Sequence, residues 1–505
     1  MENEESIQRK SGAILSYVAI IVNTLIQILY TPFLLRMLGQ NEYGLYSLVS
    51  SIIGYLTVLD LGFGNAIIVY TSKFRSQKKY DEEKKLHGMF YVIFFLIGVI
   101  AGILGLILYF NVENIFGATL TSNELSKAKM MMLILSFNLF VTFAFSIYSS
   151  ILSAYERFTF KKLISILSSL LKPLIMIPFL FLGFKSITLI IVITIVNILV
   201  CLSNYVYCRK KLKIKIKFCG FDNKIFKVIF GYSIFIFLGE IVDKINWSAD
   251  QFILGAVSGT AAVSIYSIAS QLNNMFISFS SIMSGIFLPK ISKMVAKNVS
   301  DKKLSDEFIK IGRIQFYIIF LMCSGLVLFG KKFISLWAGP QYDTSYYVSL
   351  ILIIPVCVPL IQTLGLSIMQ AKNKYSFRAV VTFIMAFVNI GISIILAKHF
   401  GPVGAAVGTA FSLIVCNIIV LNIYYSRILK LNVMGFWKEI FKEIIFFVIP
   451  IVIILAIMNL ISIDGWFGLI IFCGVYVILY CLTAYFLVMN KYERGLVVQI
   501  IKKFI

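Results

Sequence analysis

Residues 187–217 read ITLIIVITIVNILVCLSNYVYCRKKLKIKIK. Residues 187–208 hold no Asp, Glu, Lys or Arg, and about 20 mostly apolar residues are enough to cross the hydrocarbon of a bilayer as a helix. Arg209, Lys210, Lys211, Lys213, Lys215 and Lys217 follow at once. An apolar stretch of spanning length that ends in a cationic run is the pattern of a helix leaving the membrane on its cytoplasmic side.

The rest of the chain repeats this alternation. Of 505 residues, 60% are hydrophobic and 14% charged, where an ordinary soluble chain carries roughly 25% charged residues. The mean hydropathy of +0.93 agrees. So much apolar surface excludes a disulfide scaffold, a disordered tail and a soluble enzyme. The length rule predicts about 14 spans, near 12–35, 44–70, 89–110, 128–152, 163–182, 187–208, 226–256, 260–288, 309–330, 346–369, 378–398, 403–425, 443–461 and 467–489. Three reversals are tight, near Gly183, Gly259 and Pro402. The opening MENEESIQRKSG leads into a long apolar stretch with no small-residue cleavage site. It is expected to be a retained first helix rather than a signal peptide.

The net charge of +23 is explained by position. With the N-terminus inside, the cytoplasmic segments take 73–85, 209–217, Lys290 through Arg313, Arg157, Lys161, Lys162, Lys372, Lys374, Arg378, the 427–442 loop and the tail. These hold about 37 of the 46 Lys and Arg, and the opposite loops about seven, which predicts both termini in the cytoplasm. The basic runs then act as topology signals and as contacts for anionic membrane lipids. No nucleic acid is expected, because the clusters lack interleaved aromatics on a soluble module. The eight Cys form no CxxC pair, and His87 and His399 are far apart. No metal site and no cofactor is expected.

The chain resembles itself at an offset of about 217 residues, as two-lobed transporters do. ILSAYERFTF (151–160) aligns with IMQAKNKYSF (368–377), so that Ala154 meets Ala371, Phe158 meets Tyr375 and Phe160 meets Phe377. Tyr46-Ser47 and Tyr266-Ser267 each follow a Leu-Gly turn. The expected fold class is an all-α polytopic membrane protein of two six-helix lobes, 1–217 and 218–428, with two further helices in 429–505.

Ionisable groups at membrane depth cost at least about 2.5–3.5 kcal/mol on insertion scales and mark functional sites. Span 7 is richest: Glu240, Asp243, Lys244, Trp247 and Gln251 share one stripe, with Asp250 at its edge. The stripe is either a self-neutralising cluster that docks the helix or the lining of an aqueous cavity. The second is favoured, because Asp243 and Asp250 remain outside the Glu240–Lys244 pair. Span 5 carries Lys172 on one face with Ser165, Ser168 and Ser169, followed by Pro173, where a kink is expected. Lys172 reads as cavity lining or as a snorkelling cation. Asp60 in span 2 reads equally as a coupling acid or as a cap for neighbouring backbone. Asn23 and Gln27 share a face of span 1 that ends at Arg36, a ligand or an interface anchor. Gln271 and Asn274 share a face of span 8, and Pro355 and Pro359 predict a broken span 10.

No GxxxxGK[ST], HExxH or GxSxG occurs, so ATP-driven pumping and hydrolase chemistry have no residues to stand on. No enzymatic activity is expected.

Residues 33–85 contain Leu38, Gly39, Tyr43 and Gly44 at a turn, then Leu59, Asp60, Leu61, Gly62 and Gly64 at the end of span 2, then a basic loop. This resembles Wzx-type polysaccharide flippases of the multidrug/oligosaccharidyl-lipid/polysaccharide exporter superfamily, as do the turns ILSAYERF and QAKNKYSFRA. The resemblance covers nearly the whole chain. It implies a flippase for a polyprenyl-pyrophosphate-linked oligosaccharide repeat unit in the bacterial plasma membrane, working by alternating access coupled to an ion gradient, with a polysaccharide polymerase complex as a further partner. On it, Lys172, Lys244 and Arg36 would hold the anionic headgroup. Trp247, Gln251, Gln271, Asn274, Asn23 and Gln27 would line its path. Asp243, Asp250, Glu240 and Asp60 would be the coupling acids. Span 7 holds more acids than bases, which favours coupling or gating there over pyrophosphate binding. The competing expectations are a lipid II flippase, a drug/cation antiporter of the same superfamily, and a membrane glycan polymerase, against which the short outer loops stand.

Overall fold

Backbone inside a bilayer must satisfy its own polar groups, and a helix does so within one segment. In the computed structural model every regular element among the described residues is a helix. Those residues are 2–214, 216, 220–297, 299–372, 374–461 and 465–504. The side chains of Asp243 and Trp247 lie outside the described residues.

The chain divides into two compact units, Met1–Ser267 and Ile268–Ile505. The first is built from α1 (Glu2–Leu38), α2 (Gln40–Leu56), α3 (Phe63–Ser76), α4 (Tyr80–Phe116), α5 (Ser122–Ala154), α6 (Phe158–Phe181), α7 (Ser186–Lys210) and α8 (Asn223–Val257). Within it α5 packs against α4 and α7, α1 against α6, and α2 against α5 and α8. Small residues let helices approach closely in a membrane, where dispersion contacts replace the hydrophobic drive. A Cβ on Gly98 would meet the Phe140 carbonyl at 3.0 Å, and one on Gly105 would overlap Ser136 Oγ. A Thr121–Glu124 capping box starts α5, and the buried pair Thr71 Oγ1 and His87 Nε2, 3.0 Å apart, ties α3 to α4.

α9 (Gly259–Ala296) begins in the first unit and continues into the second. There follow α10 (Asp301–Trp337), α11 (Thr344–Ile361), α12 (Thr363–Ala371), α13 (Tyr375–Leu413), α14 (Leu421–Arg427), α15 (Val433–Leu460), α16 (Gly465–Thr483) and α17 (Lys491–Phe504). α13 is two helices joined at Gly401, whose φ of 55° and ψ of −134° leave the helical region. The chain folds back there: Ser393 Oγ donates to the Ala405 carbonyl, Thr409 Oγ1 to Asn389 Oδ1 and Ser412 Oγ to the Met385 carbonyl. The other two tight reversals also carry a left-handed glycine, Gly183 at 85° and Gly259 at 82°. The span with two prolines breaks at Gln362, between α11 and α12. α6, by contrast, runs unbroken through Pro173 and Pro178.

Among the described residues, 11 helices are long and apolar enough to cross a membrane, and one of these, Tyr375–Arg427, contains the reversal at Gly401. The chain is an all-helical, multi-pass membrane protein, and the expected count of about 14 spans is consistent with this set.

Candidate functional site

α6 packs against α1 and α7 and touches α5, and of its side chains only Met176 and Leu180 are buried. Between α5, α6 and α7 lies a cavity of about 210 Å³, and Lys172 lines it with Lys161, Ser165, Ser168, Asn197 and Asn204. Of the serine face expected from helical spacing, Ser165 and Ser168 line the cavity with Lys172 and Ser169 does not. Lys161 is committed: its Nζ donates to the Ser149 carbonyl at 3.1 Å and to Ser153 Oγ at 2.6 Å. Lys172 has no hydrogen-bond or ion-pair partner among the described residues. A half-buried amine facing a polar cavity is a ready counter-charge for a phosphate or a sugar acid. Behind it the wall is cross-braced. Asn197 Nδ2 donates to Asn138 Oδ1 at 2.6 Å and to Thr142 Oγ1 at 2.7 Å, and Asn138 Nδ2 donates to Thr194 Oγ1 at 3.1 Å.

The charged stripe of α8 lies on the helix that packs against α2 and α3. Glu240, Lys244 and Gln251 are half-buried there. Lys244 reaches α2, where a Cβ on Gly54 would meet its Nζ at 3.8 Å. Asp250 is 1% exposed and accepts the Tyr266 hydroxyl, so it is held in packing. Asp243 and Trp247, the remaining stripe residues, are the two whose side chains lie outside the described residues. On α1, Asn23 is half-buried while Gln27 and Arg36 are exposed; on α9, Gln271 is half-buried and Asn274 exposed. The cavity thus gathers Lys172 but none of these other candidates.

The glycine motifs have structural causes. Gly44 of α2 sits against the Thr260 carbonyl so closely that any Cβ would overlap it. Asp60 closes a short 3-10 turn, Thr57–Asp60, after which Leu61 and Gly62 are both left-handed, at 53° and 71°. Its carboxylate accepts the Gly64 N–H at 3.3 Å and so caps α3. Tyr155, in the turn after α5, donates to Glu83 Oε1 at 2.6 Å, while the Arg75 guanidinium lies 3.8 Å from its ring centroid. Burial, helped by the Glu83 carboxylate, pushes the Tyr155 hydroxyl well above its ordinary range. The turn is thereby fastened to the basic loop.

Two polar clusters have no counterpart among the sequence expectations. In the first unit, Glu42 pairs with Lys127 and accepts Ser186 Oγ. Nearby, Thr119 Oγ1 donates to the Gly255 carbonyl and Thr260 Oγ1 to Glu124 Oε1, both at 2.7 Å. The capping-box spacing T-x-x-E was the available signal for Glu124. In the second unit, Arg313 gathers three glutamates from distant parts of the chain, and no local pattern announces that.

A membrane bundle with a polar, cation-bearing cavity has the architecture of a multi-pass transporter. Residues 33–347 match the family described as polysaccharide biosynthesis protein. The chain belongs to that family. It is 23% identical over 421 residues to a putative O-antigen transporter of Shigella flexneri, covering 80% of this chain and 95% of that protein. A probable low-salt glycan biosynthesis flippase of Haloferax volcanii is 22% identical over 41% of this chain and 44% of its own length. Among solved structures, a lipid II flippase in an inward closed conformation superposes with a TM-score of 0.73 at 19% identity, covering 96% of this chain and 99% of that one. An inward-facing multidrug resistance transporter gives 0.69 at 13% identity, over 83% and 96%. These likenesses establish the fold.

Proposed function

We propose that the chain is a flippase that carries a polyprenyl-pyrophosphate-linked oligosaccharide repeat unit across the bacterial plasma membrane for surface polysaccharide assembly. The observation that carries this reading is the half-buried Lys172 amine facing a polar cavity inside a membrane bundle. The family and the relatives named as an O-antigen transporter and a glycan flippase support it. The lipid tail stays in hydrocarbon while Lys172, with Lys244 and Arg36, neutralises the headgroup in transit. Moving a headgroup breaks no bond, so the reading needs no enzyme chemistry. Both termini are cytoplasmic in it, the basic loops rest on anionic lipid, and a polysaccharide polymerase receives the product. The halves 1–217 and 218–428 alternate access, with 429–505 appended. Glu240, Asp243, Asp250 and Asp60 are the candidate coupling acids for an ion gradient. Asp250 and Asp60 already accept hydrogen bonds, which must be released before either takes part.

In a strain lacking its own copy, Lys172→Ala and Lys244→Ala should abolish surface polymer at normal protein levels in the membrane. Wild-type polymer in both variants would remove the cationic-cavity reading. Flipping of the lipid-linked sugar in liposomes, with and without a proton or sodium gradient, tests the coupling acids. Transport of lipid II in place of the repeat unit would reassign the substrate.

A further inference from the structure

Arg313 of α10 is 11% exposed and faces carboxylates from two later helices. Its guanidinium pairs with Glu439 and Glu443 of α15, both at 2.8 Å, and with Glu493 of α17 at 2.9 Å. It also donates to the Tyr317 hydroxyl at 3.1 Å and to the Val488 carbonyl at 3.4 Å. Glu439 is 39% exposed, but Glu443 and Glu493 are each only 2% exposed. Two enclosed carboxylates therefore share one cation.

The donors are also short. Glu493 takes the Arg313 Nε at 2.9 Å, the Asn490 N–H at 2.9 Å and the Tyr317 hydroxyl at 3.0 Å. Glu443 Oε1 has Arg313 and, at 3.3 Å, the same Tyr317 hydroxyl, which owns one proton for two carboxylates. Glu443 Oε2 is buried with no hydrogen-bond partner among the described residues. The other hydroxyl packed against this helix, Tyr480 of α16, is spent on the Tyr317 carbonyl at 2.8 Å. An enclosed anionic oxygen without a donor is among the costliest features a fold can hold.

We propose that this cluster is a proton-binding site: one proton resides on Glu443, and its presence fastens α17 to α10 and α15. The proton makes Glu443 a neutral acid, leaving Arg313 to balance the enclosed Glu493 and the more exposed Glu439. Its loss is a simple dissociation, carboxylic acid to carboxylate plus a proton. A cavity of about 700 Å³ lined by Asp306, Lys310, Arg313, Glu439 and Tyr492 reaches Arg313 from outside and gives the proton its way in and out. Lys310 lies 3.6 Å from the Tyr492 ring centroid at that rim. With the proton gone, two enclosed carboxylates repel across Arg313, and the contact that gives is α17, which carries Glu493.

The test uses the full chain in nanodiscs. Infrared difference spectra should show the carbonyl stretch of a protonated carboxyl near neutral pH that is missing in Glu443→Gln and shifted in Glu443→Asp. Trypsin should cut wild type at Lys491 and Arg494 faster at roughly pH 9 than at roughly pH 6 relative to an unfolded control, while Glu443→Gln stays protected at both. No band difference, or equal pH dependence in the two proteins, overturns the proposal. Should the variants not fold, a wild-type spectrum without any protonated-carboxyl band that titrates in that range overturns it alone. Protection restored at high pH by sodium chloride but not choline chloride also overturns it, and assigns the site to an alkali cation.

Discussion

The ring of Phe160 lies stacked on that of Tyr207, with centroids 4.1 Å apart and planes 28° from parallel. The same interval along the chain separates Phe160 from Phe377 and Tyr207 from Tyr424, and that second pair stacks at 4.2 Å and 11°. The helix ends keep step: α5 closes at Ala154 and α6 opens at Phe158, as α12 closes at Ala371 and α13 opens at Tyr375. Duplicated aromatic pairs should contribute alike. Double-mutant cycles of Phe160→Leu with Tyr207→Leu, and of Phe377→Leu with Tyr424→Leu, should each give a coupling of about 0.5–1.5 kcal/mol by thermal unfolding in detergent. Coupling in one repeat alone would show that the second stack is incidental.

Gly44 has no room for a side chain. Gly44→Ala should destabilise the first unit by about 1–3 kcal/mol, because the methyl must displace the Thr260 backbone. Gly102, beside which nothing lies within 4 Å, is the control, and its alanine variant should unfold with the wild type. Equal unfolding midpoints for Gly44→Ala and wild type would contradict the contact.

Removing the Tyr155 hydroxyl leaves Glu83, 4% exposed, without its 2.6 Å donor. Tyr155→Phe should cost about 1–3 kcal/mol, while keeping the ring under Arg75. Tyr155→Leu should cost more, since the cation–π contact goes as well. Cleavage within the loop 77–79 by a protease reads the loosened loop directly.

Glu493 supplies an acid limb to stability. Burial works to raise its carboxyl, but the hydrogen bonds from Arg313 and from the Asn490 N–H outweigh that and hold it below the ordinary value. A lowered folded value means the stabilisation is full above the unfolded value of about 4.3 and is lost as pH falls through the folded one. Release of α17 on acidification, followed by trypsin sensitivity of pre-incubated protein, should therefore set in below about pH 4 and be absent from Glu493→Gln. Together with the Glu443 proton, this predicts a docked state bounded on both sides in pH.

Lys172→Ala should lower flipping at least tenfold, a loss of about 1.4 kcal/mol of interaction with the moving headgroup. Lys161→Ala should act differently: it removes bonds to Ser149 and Ser153, so protein yield falls together with transport. A Lys172→Ala protein with unchanged flipping per molecule would move the counter-charge elsewhere.

Hydropathy and glycine placement made most of the fold legible. Spanning runs need no tertiary information, and Gly183, Gly259 and Gly401 turn the chain where sequence placed the reversals. The serine face of Lys172 followed from helical spacing alone. What spacing does not reveal is the partner. Asp250 sits at the edge of a polar stripe, but only packing brings Tyr266 to it. Arg313 and Glu493 meet across 180 residues, and each alone looks like one more interfacial charge. α6 runs on through Pro173, as neighbouring helices and local adjustments in a bilayer allow.

The cross-bracing behind Lys172 has a consequence for selectivity. Both Asn197 amide contacts are spent on Asn138 and Thr142, and Ser168 and Ser169 donate to the Ser165 carbonyl of their own helix. Discrimination among sugars comes from polar groups that a wrong hydroxyl pattern would leave unpaired. A wall so largely committed to its own bonds exacts little such penalty. Lys172 and Asn204 remain without hydrogen-bond partners among the described residues, and Lys172 asks for negative charge. On the proposed function, such a cavity sorts cargo chiefly by its anionic anchor, with Asn204 the polar group left to test a sugar.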